Sequence, residues 1–496
     1  MGGGKIALGI EPQALAAADA NDEIVLTPEG DVRDYAMSLY AYANQIMPDY
    51  DEYDLKRKVC FSSDGNTIWF SGFFMAEIGG WAKGMLNDGI ITVPSGQYVA
   101  DSNGEKLYLM AFAVKNNQPA LVDGIEFRIS DNGEIKCVDA SIYVGLWYYT
   151  SDTQMSLTTA YSHEHTFRPV TEKSVEVPSG ASVGQYLLKA YDSWRDGEVE
   201  YVVDVARNGN DVYINGLAFD AKTSWVKGSF ANGEIVFQSN QAIDGNDTYW
   251  LKLSGMKLSG SSMFGDTYSP TESFSFVVSD DWSTLILKEG LIGERYMFDN
   301  SNFDMMKEVV LTKYSGDKPA VPADPSELKF HKSSELGDSF TFLQPATDKD
   351  GNSLNPDKLY YRVYVDDTPY TFTIEKYPNL DAPLSEVPFS YFDSYYFKEN
   401  YNGKYKLFYF NEADWNTLDV ESVYVVDGVE NVSNKVRCVN PNGGIGGVAM
   451  EKEPVNTRYT DLMGRSFDEP VQAGFYLKTV TYSDGSVQTI KINYKP

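Results

Sequence analysis

Hydrophobic and polar residues alternate along most of this chain in runs of five to ten, and each run ends in a glycine, an asparagine or an aspartate. Alternation of period two places successive side chains on opposite faces and predicts half-buried strands. "GNTIWFSGF" sets a turn before an apolar run, and "GIITVPSGQYVA" begins and breaks at glycines. "EKLYLMAFAV" and "GIEFRIS" alternate, and "SDNGEIKCV" contains Asn-Gly, the strongest short signal for a hairpin. Residues 32–47, "VRDYAMSLYAYANQIM", form the one stretch whose spacing permits a helix. The pattern predicts an all-β protein of antiparallel sandwiches or flattened barrels.

The pattern is also written twice. "GGWAKGMLNDGIITVPSGQ" (79–97) returns as "TSWVKGSFANGEIVFQSNQ" (223–241), with Trp81 and Trp225 lying 144 residues apart. Shifted by 144, residues 59–97 lie on 203–241, and Gly65, Asn66, Gly72, Lys83, Gly84, Gly89 and Gln97 are among the residues that recur. "VLTPEGDVRDY" and "IEFRISDNGEI" also resemble segments near 175 and 274. The period far exceeds the roughly 20–50 residues of solenoid repeats. The reading is therefore two tandem copies of one domain, at about 24–170 and 171–315. In the shared Trp-x-Lys-Gly, an exposed Trp81 or Trp225 beside Lys83 or Lys227 would make a sugar platform. The structural reading has the tryptophan cover the end of the core, the lysine run its stem over that ring, and Gly84 and Gly228 take a turn only glycine allows. Both copies keep the motif while their surroundings differ, which favours the structural reading.

The linker-like "SGDKPAVPADPSEL" (315–328) holds three prolines and marks a stiff boundary. A third domain follows over 316–440, with "LYYRVYVDD" and "VESVYVVDGVENVSNKVR" alternating cleanly. Its length, Pro-rich start and tyrosine-rich central strand resemble a fibronectin type III sandwich, a fold used for binding and spacing more than for catalysis. Within it, Asp348, Asp350 and Asn352 of "DKDGN" have the alternate spacing of calcium ligands, which makes calcium the one cofactor to consider. Gly351 comes too early for a calcium loop, however, no glutamate closes one, and the same residues make ordinary turns.

After the glycine-rich "CVNPNGGIGG" (438–447) comes a last segment, about 450–496, containing Tyr459, Asp461, Leu462, Gly464 and Arg465, then Gly474-Phe475-Tyr476, then Gly485, Lys491 and Lys495. This segment resembles the C-terminal sorting domain of proteins exported by the type IX secretion system of Bacteroidetes-like bacteria. Thr460 intrudes between Tyr459 and Asp461, which puts the strand pairing there in question. The whole arrangement resembles multi-domain surface proteins of gut Bacteroidales. The resemblance implies a secreted or outer-membrane-attached address and contact with the secretion machinery, and it implies no activity. Residues 1–23 hint at a signal peptide, but Glu11 and Pro12 interrupt an apolar stretch that is too short, which leaves a truncated or replaced leader and a native, disordered start both open.

Composition narrows the partners. The 496 residues carry a formal net charge of −30, which repels phosphate backbones and makes nucleic acid an unsuitable partner. No run of eighteen apolar residues predicts a membrane-crossing helix. Cys60, Cys137 and Cys438 are too few and too scattered for a disulfide framework or a zinc site, and Asp204 falls opposite Cys60 in the shifted repeat. His163 and His165 of "SHEHTF" share a face if the segment is extended, but two ligands make no metal site. No hydrolase, zincin, phosphate-loop or dinucleotide motif is present. The expectation is a monomeric, non-catalytic, secreted or cell-surface binding or adhesion protein for glycan or protein. The alternatives are a glycoside hydrolase with its carboxylates hidden among seventy-one acids, and a purely structural spacer.

Overall fold

In a computed structural model, the short alternating runs pair as antiparallel sheet almost throughout. The structure describes residues 23–441, apart from 43–49, 75–78, 103, 116–117, 152–153, 263–264, 333–336, 394, 401–404 and 413, and residues 454–494, apart from 462–464, 468, 470–473 and 483–486. The leader reading, most of the glycine-rich hinge, and Leu462, Gly464, Gly485 and Lys495 of the tail motif lie outside the described residues. The only helical segments among the described residues are two single 3-10 turns, Phe219–Ala221 and Pro356–Lys358. No described helix is long and apolar enough to cross a membrane.

The first copy contributes twelve strands: β1 Asp31–Tyr42, β2 Tyr50–Phe61, β3 Thr67–Phe70, β4 Ala82–Asn87, β5 Ile90–Pro94, β6 Gln97–Ser102, β7 Glu105–Lys115, β8 Gln118–Val122, β9 Gly124–Ile129, β10 Ile135–Cys137, β11 Ile142–Ser151 and β12 Gln154–Pro169. Eight of them close a barrel in the order β1-β2-β3-β4-β5-β9-β10-β12, with β12 returning to β1. Strands β11, β7 and β6 continue outward from the long β12 as a flange, and β8 adds to β7. The second copy repeats this order strand for strand, from Ser182–Asp192 to Asn302–Lys313. The duplication reaches the backbone. Asp88-Gly89 and Asn232-Gly233 are two-residue hairpin loops with positive φ at both positions, as type I′ turns require. Glu164 and Glu308, 144 residues apart, have φ of 55° and 57° at matching bulges.

Three expectations change. Residues 31–42 form strand β1 rather than a helix. Tyr35, Met37 and Leu39 face the barrel core, and Ala36 on the outer face is also buried, under Val170 and Trp250. That outer cover blurs the alternation. The repeat is not gapless from residue 59, because Cys60 pairs with Trp69 whereas Ala206 pairs with Tyr213. The first copy has two extra residues in this hairpin, so Ala206, not Asp204, stands where Cys60 does. All three cysteines are free.

The two barrels dock edge to edge. Trp250 N donates to Asp54 O (2.8 Å), Lys56 N to Thr248 O (2.7 Å), and Trp250 Nε1 to Tyr35 O (3.1 Å). The buried Asp54 carboxylate accepts from Phe298 N at 2.6 Å and Asp299 N at 3.1 Å. Each barrel keeps its own apolar core.

The third domain is a two-sheet sandwich. One sheet runs Ser326–His331, Asp338–Leu343, Tyr405–Phe410, Phe397–Asn400; the other is built on Leu359–Val365 and Thr417–Val426. Phe340, Phe408, Tyr361 and Val420 fill the space between them. The tail is a separate four-stranded sheet in the order Ser466–Phe467, Pro454–Asp461, Gly474–Tyr482, Val487–Tyr494. Thr460 pairs with Ser466 on one side and Leu477 on the other, so its intrusion leaves the ladder whole.

Candidate functional site

The repeated Trp-x-Lys-Gly occupies equivalent strand starts, β4 and Trp225–Ala231. Trp81 and Trp225 are both half-buried. What the motif holds is backbone. Gln97 Oε1 accepts from Lys83 N at 2.6 Å, while its Nε2 donates to Lys83 O and Pro94 O at 2.9 Å. Gln241 does the same for Lys227 N (2.8 Å), Lys227 O (3.0 Å) and Gln238 O (2.9 Å). Lys83 and Lys227 lie over the cross-strand rings of Trp69 and Tyr213, not over Trp81 or Trp225. The glycines serve packing rather than a turn. A methyl at Gly84 would come within 2.6 Å of Ile91 Cγ2, and one at Gly228 within 2.7 Å of Ile235 Cγ2. Gly84→Ala and Gly228→Ala should each cost about 1–3 kcal/mol by overpacking, read as lowered denaturation midpoints of similar size. A large loss in one copy and none in the other would show that the motif is not one structural device.

The other sequence candidates also resolve into structure. Asp348 Oδ1 accepts from Asp350 N (2.9 Å) and Asn352 N (2.8 Å), and its Oδ2 accepts from Asn352 Nδ2 (2.9 Å). Asp348, Asp350 and Asn352 thus form a self-bonded turn. His163 and His165 do not share a face, because the bulge at Glu164 intervenes. His163 packs at a tilt against Tyr143 with centroids 4.4 Å apart. His165 is fully buried, its Nε2 2.9 Å from Ser162 Oγ and 3.1 Å from Phe73 O.

The polar constellation that sequence reasoning missed lies inside the second barrel. Carboxylate oxygens of Asp220, Glu294 and Asp304 all fall within 4.8 Å of one another. Glu294 comes from the flange strand Leu291–Tyr296, Asp304 from its hairpin partner Asn302–Lys313, and Asp220 from the 3-10 turn Phe219–Ala221. Asp192, fully buried at the end of Ser182–Asp192, lies alongside. Its Oδ1 accepts from Trp194 N (3.0 Å) and Arg195 N (2.8 Å), and its Oδ2 meets Arg195 Nη1 at 3.1 Å. Trp194 N is shared with Asp304 Oδ1 at 3.2 Å. Burial, reinforced by the Asp192 charge, pushes Asp304 up to about 7. Burial, with Asp220 and Asp304 nearby, pushes Glu294 well above the usual carboxylate range.

The first copy lacks all this. The strand registers place Leu146 where Glu294 stands and Ala41 where Asp192 stands, and both belong to the first barrel's apolar core. The signal lies in "GLW" (145–147) against "GER" (293–295), 148 residues apart and so outside the segment that the 144-residue shift superposes.

Above the carboxylates the surface is aromatic. Trp194 is 67 % exposed. Its ring packs edge-on against Phe392 of the third domain, with centroids 6.2 Å apart, and Tyr395 in the same loop is also exposed. The Arg195 guanidinium sits 5.6 Å from the Trp194 ring and 3.6 Å from that of Phe219. This face combines an open indole with charged groups held by buried partners. No protein-family model matches the chain and no curated protein matches it, so the reading of this face rests on these residues alone.

Proposed function

We propose that the chain is a non-catalytic, secreted or outer-membrane-attached binding protein that engages glycan through the face around Trp194. The observation that carries this is the exposed indole fixed at its backbone by two buried carboxylates and flanked by Arg195 and Phe392. A rigid aromatic surface suits the apolar face of a sugar ring, and neighbouring charged groups suit its hydroxyls. Trp81, Lys83, Trp225 and Lys227 have the weaker claim, since their polar groups already serve the fold. The sandwich supports a fibronectin type III reading through its two-sheet order, which suits a spacer. The tail's separate sheet is compatible with a sorting domain that meets the secretion machinery. A charge of −30 argues against nucleic acid, and the single chain is read as a monomer.

The test is a glycan array with full-length protein, Trp194→Ala and Trp81→Ala. Trp194→Ala should weaken binding at least about tenfold with unchanged melting, because an exposed ring adds little to stability. Trp81→Ala should melt earlier and still bind. A blank array for the unaltered protein, or full binding by Trp194→Ala, would overturn the reading. One observation favours a second reading, a glycan-active enzyme: burial, with Asp220 and Asp304 nearby, raises the Glu294 carboxyl well above the usual carboxylate range, which is the direction in which a general acid is prepared.

A further inference from the structure

We propose that Asp220, Glu294 and Asp304 hold a calcium ion inside the second barrel. Oxygen ligands lie about 2.3–2.6 Å from calcium, so two that share one ion can be up to about 5 Å apart. The three carboxylates, within 4.8 Å of one another, meet that condition. One of their oxygens has nothing else to bind. Glu294 Oε2 is buried without a hydrogen-bond partner, on a residue only 3 % exposed, and Asp304, 4 % exposed, meets Asp192 side chain to side chain. An unpaired buried carboxylate is among the costliest groups a fold can retain. The equivalent of Glu294 in the first barrel is the hydrocarbon of Leu146, so the scaffold does not need an acid there.

Charge points to a divalent ion. Arg195 matches Asp192. The cations that act on Asp220 are Arg195 itself and Lys222, whose ammonium lies 4.4 Å from the Tyr201 ring centroid and is shared with Asp357. An ion takes these carboxylates in their ionised form and displaces the protons that burial favours on Glu294 and Asp304, and the three negative charges then outnumber the positive charge of Lys222. The donors are all hard oxygens, which excludes the thiolate and imidazole chemistry that favours zinc or copper. Three carboxylates are more than magnesium, which keeps most of its water, usually takes from a protein. Because Trp194 N donates to Asp304, an ion here would also order the Trp194 turn. The cation proposal nevertheless stands apart from the glycan reading, since metal uptake is measured with no sugar present.

The experiment uses the full chain, stripped with chelator and dialysed at pH 8. Titration with calcium chloride should show one ion per chain and raise the melting temperature saturably, with magnesium chloride at least about tenfold weaker. Glu294→Leu, which installs the first copy's residue, should fold, melt above the chelated parent and lose the calcium response. Glu294→Gln, closer in shape, should lose the response too, which guards against a packing artefact. Asp348→Asn should keep it. No calcium uptake by the parent, an undiminished response in both Glu294 variants, or loss of the response in Asp348→Asn would each overturn the proposal.

Discussion

Acidification from pH 7 towards pH 3 should destabilise the first barrel through His165 by on the order of 4 kcal/mol, and His165→Val should abolish that part of the acid limb. Burial pushes the His165 imidazole down to about 3. Its Nδ1 has no partner in the core, so a second N–H there would be stranded. The sign follows from proton counting. In the unfolded chain His165 takes a proton below about 6.5, and in the folded chain only near 3. Between those values the unfolded state binds more protons, so the stability present above 6.5 drains away as pH falls. Buried carboxyls that burial makes hold their protons to higher pH, such as Glu294 and Asp304, act in the opposite direction over part of this range. The comparison of His165→Val with the parent isolates the histidine. Valine is apt because Val309 fills the equivalent core position of the second barrel. Urea denaturation at pH 7, 5 and 4 measures the effect. Parallel pH profiles for parent and variant would refute it.

Deletion of residues 450–496 should leave the rest of the protein folded and misplace it. The tail sheet pairs only with itself, from Ser466–Phe467 to Val487–Tyr494, and no described strand of the barrels or sandwich joins it. Its loss therefore removes no ladder hydrogen bond from the other domains. Expressed in a type IX-competent host, the truncated chain should accumulate in the periplasm with the melting temperature of the full-length protein. Normal surface display of the truncated chain would make the tail an ordinary closing domain.

Periodicity made the strands legible because each turn is written in local chemistry. Asp88-Gly89 and Asn232-Gly233 announce their hairpins by the positive φ they adopt. The duplication was legible for the same reason, since Gln97 and Gln241 recur with the backbone they clamp. What was not legible depended on contact between distant segments. Strand β1 resembled a helix because Trp250, more than two hundred residues away, buries its outer face at Ala36. The two-residue shift before Thr67 was hidden because Val59 matches Val203 as well as its structural equivalent, Val205. The carboxylate cluster was invisible among seventy-one acids until folding brought Asp220, Glu294 and Asp304 together from three elements. Trp194 gave no motif at all. Its importance lies in being open to solvent while the other tryptophan candidates are half covered.

The central claim is that this chain binds glycan and does not cleave it. The most direct measurement incubates full-length protein with the glycans it retains on an array and follows both bound ligand and released sugar over a day. The account predicts saturable binding, lost in Trp194→Ala, with no product above the protein-free control. Steady release of sugar that disappears in Glu294→Gln would contradict it and make the buried carboxylates of the second barrel an active site.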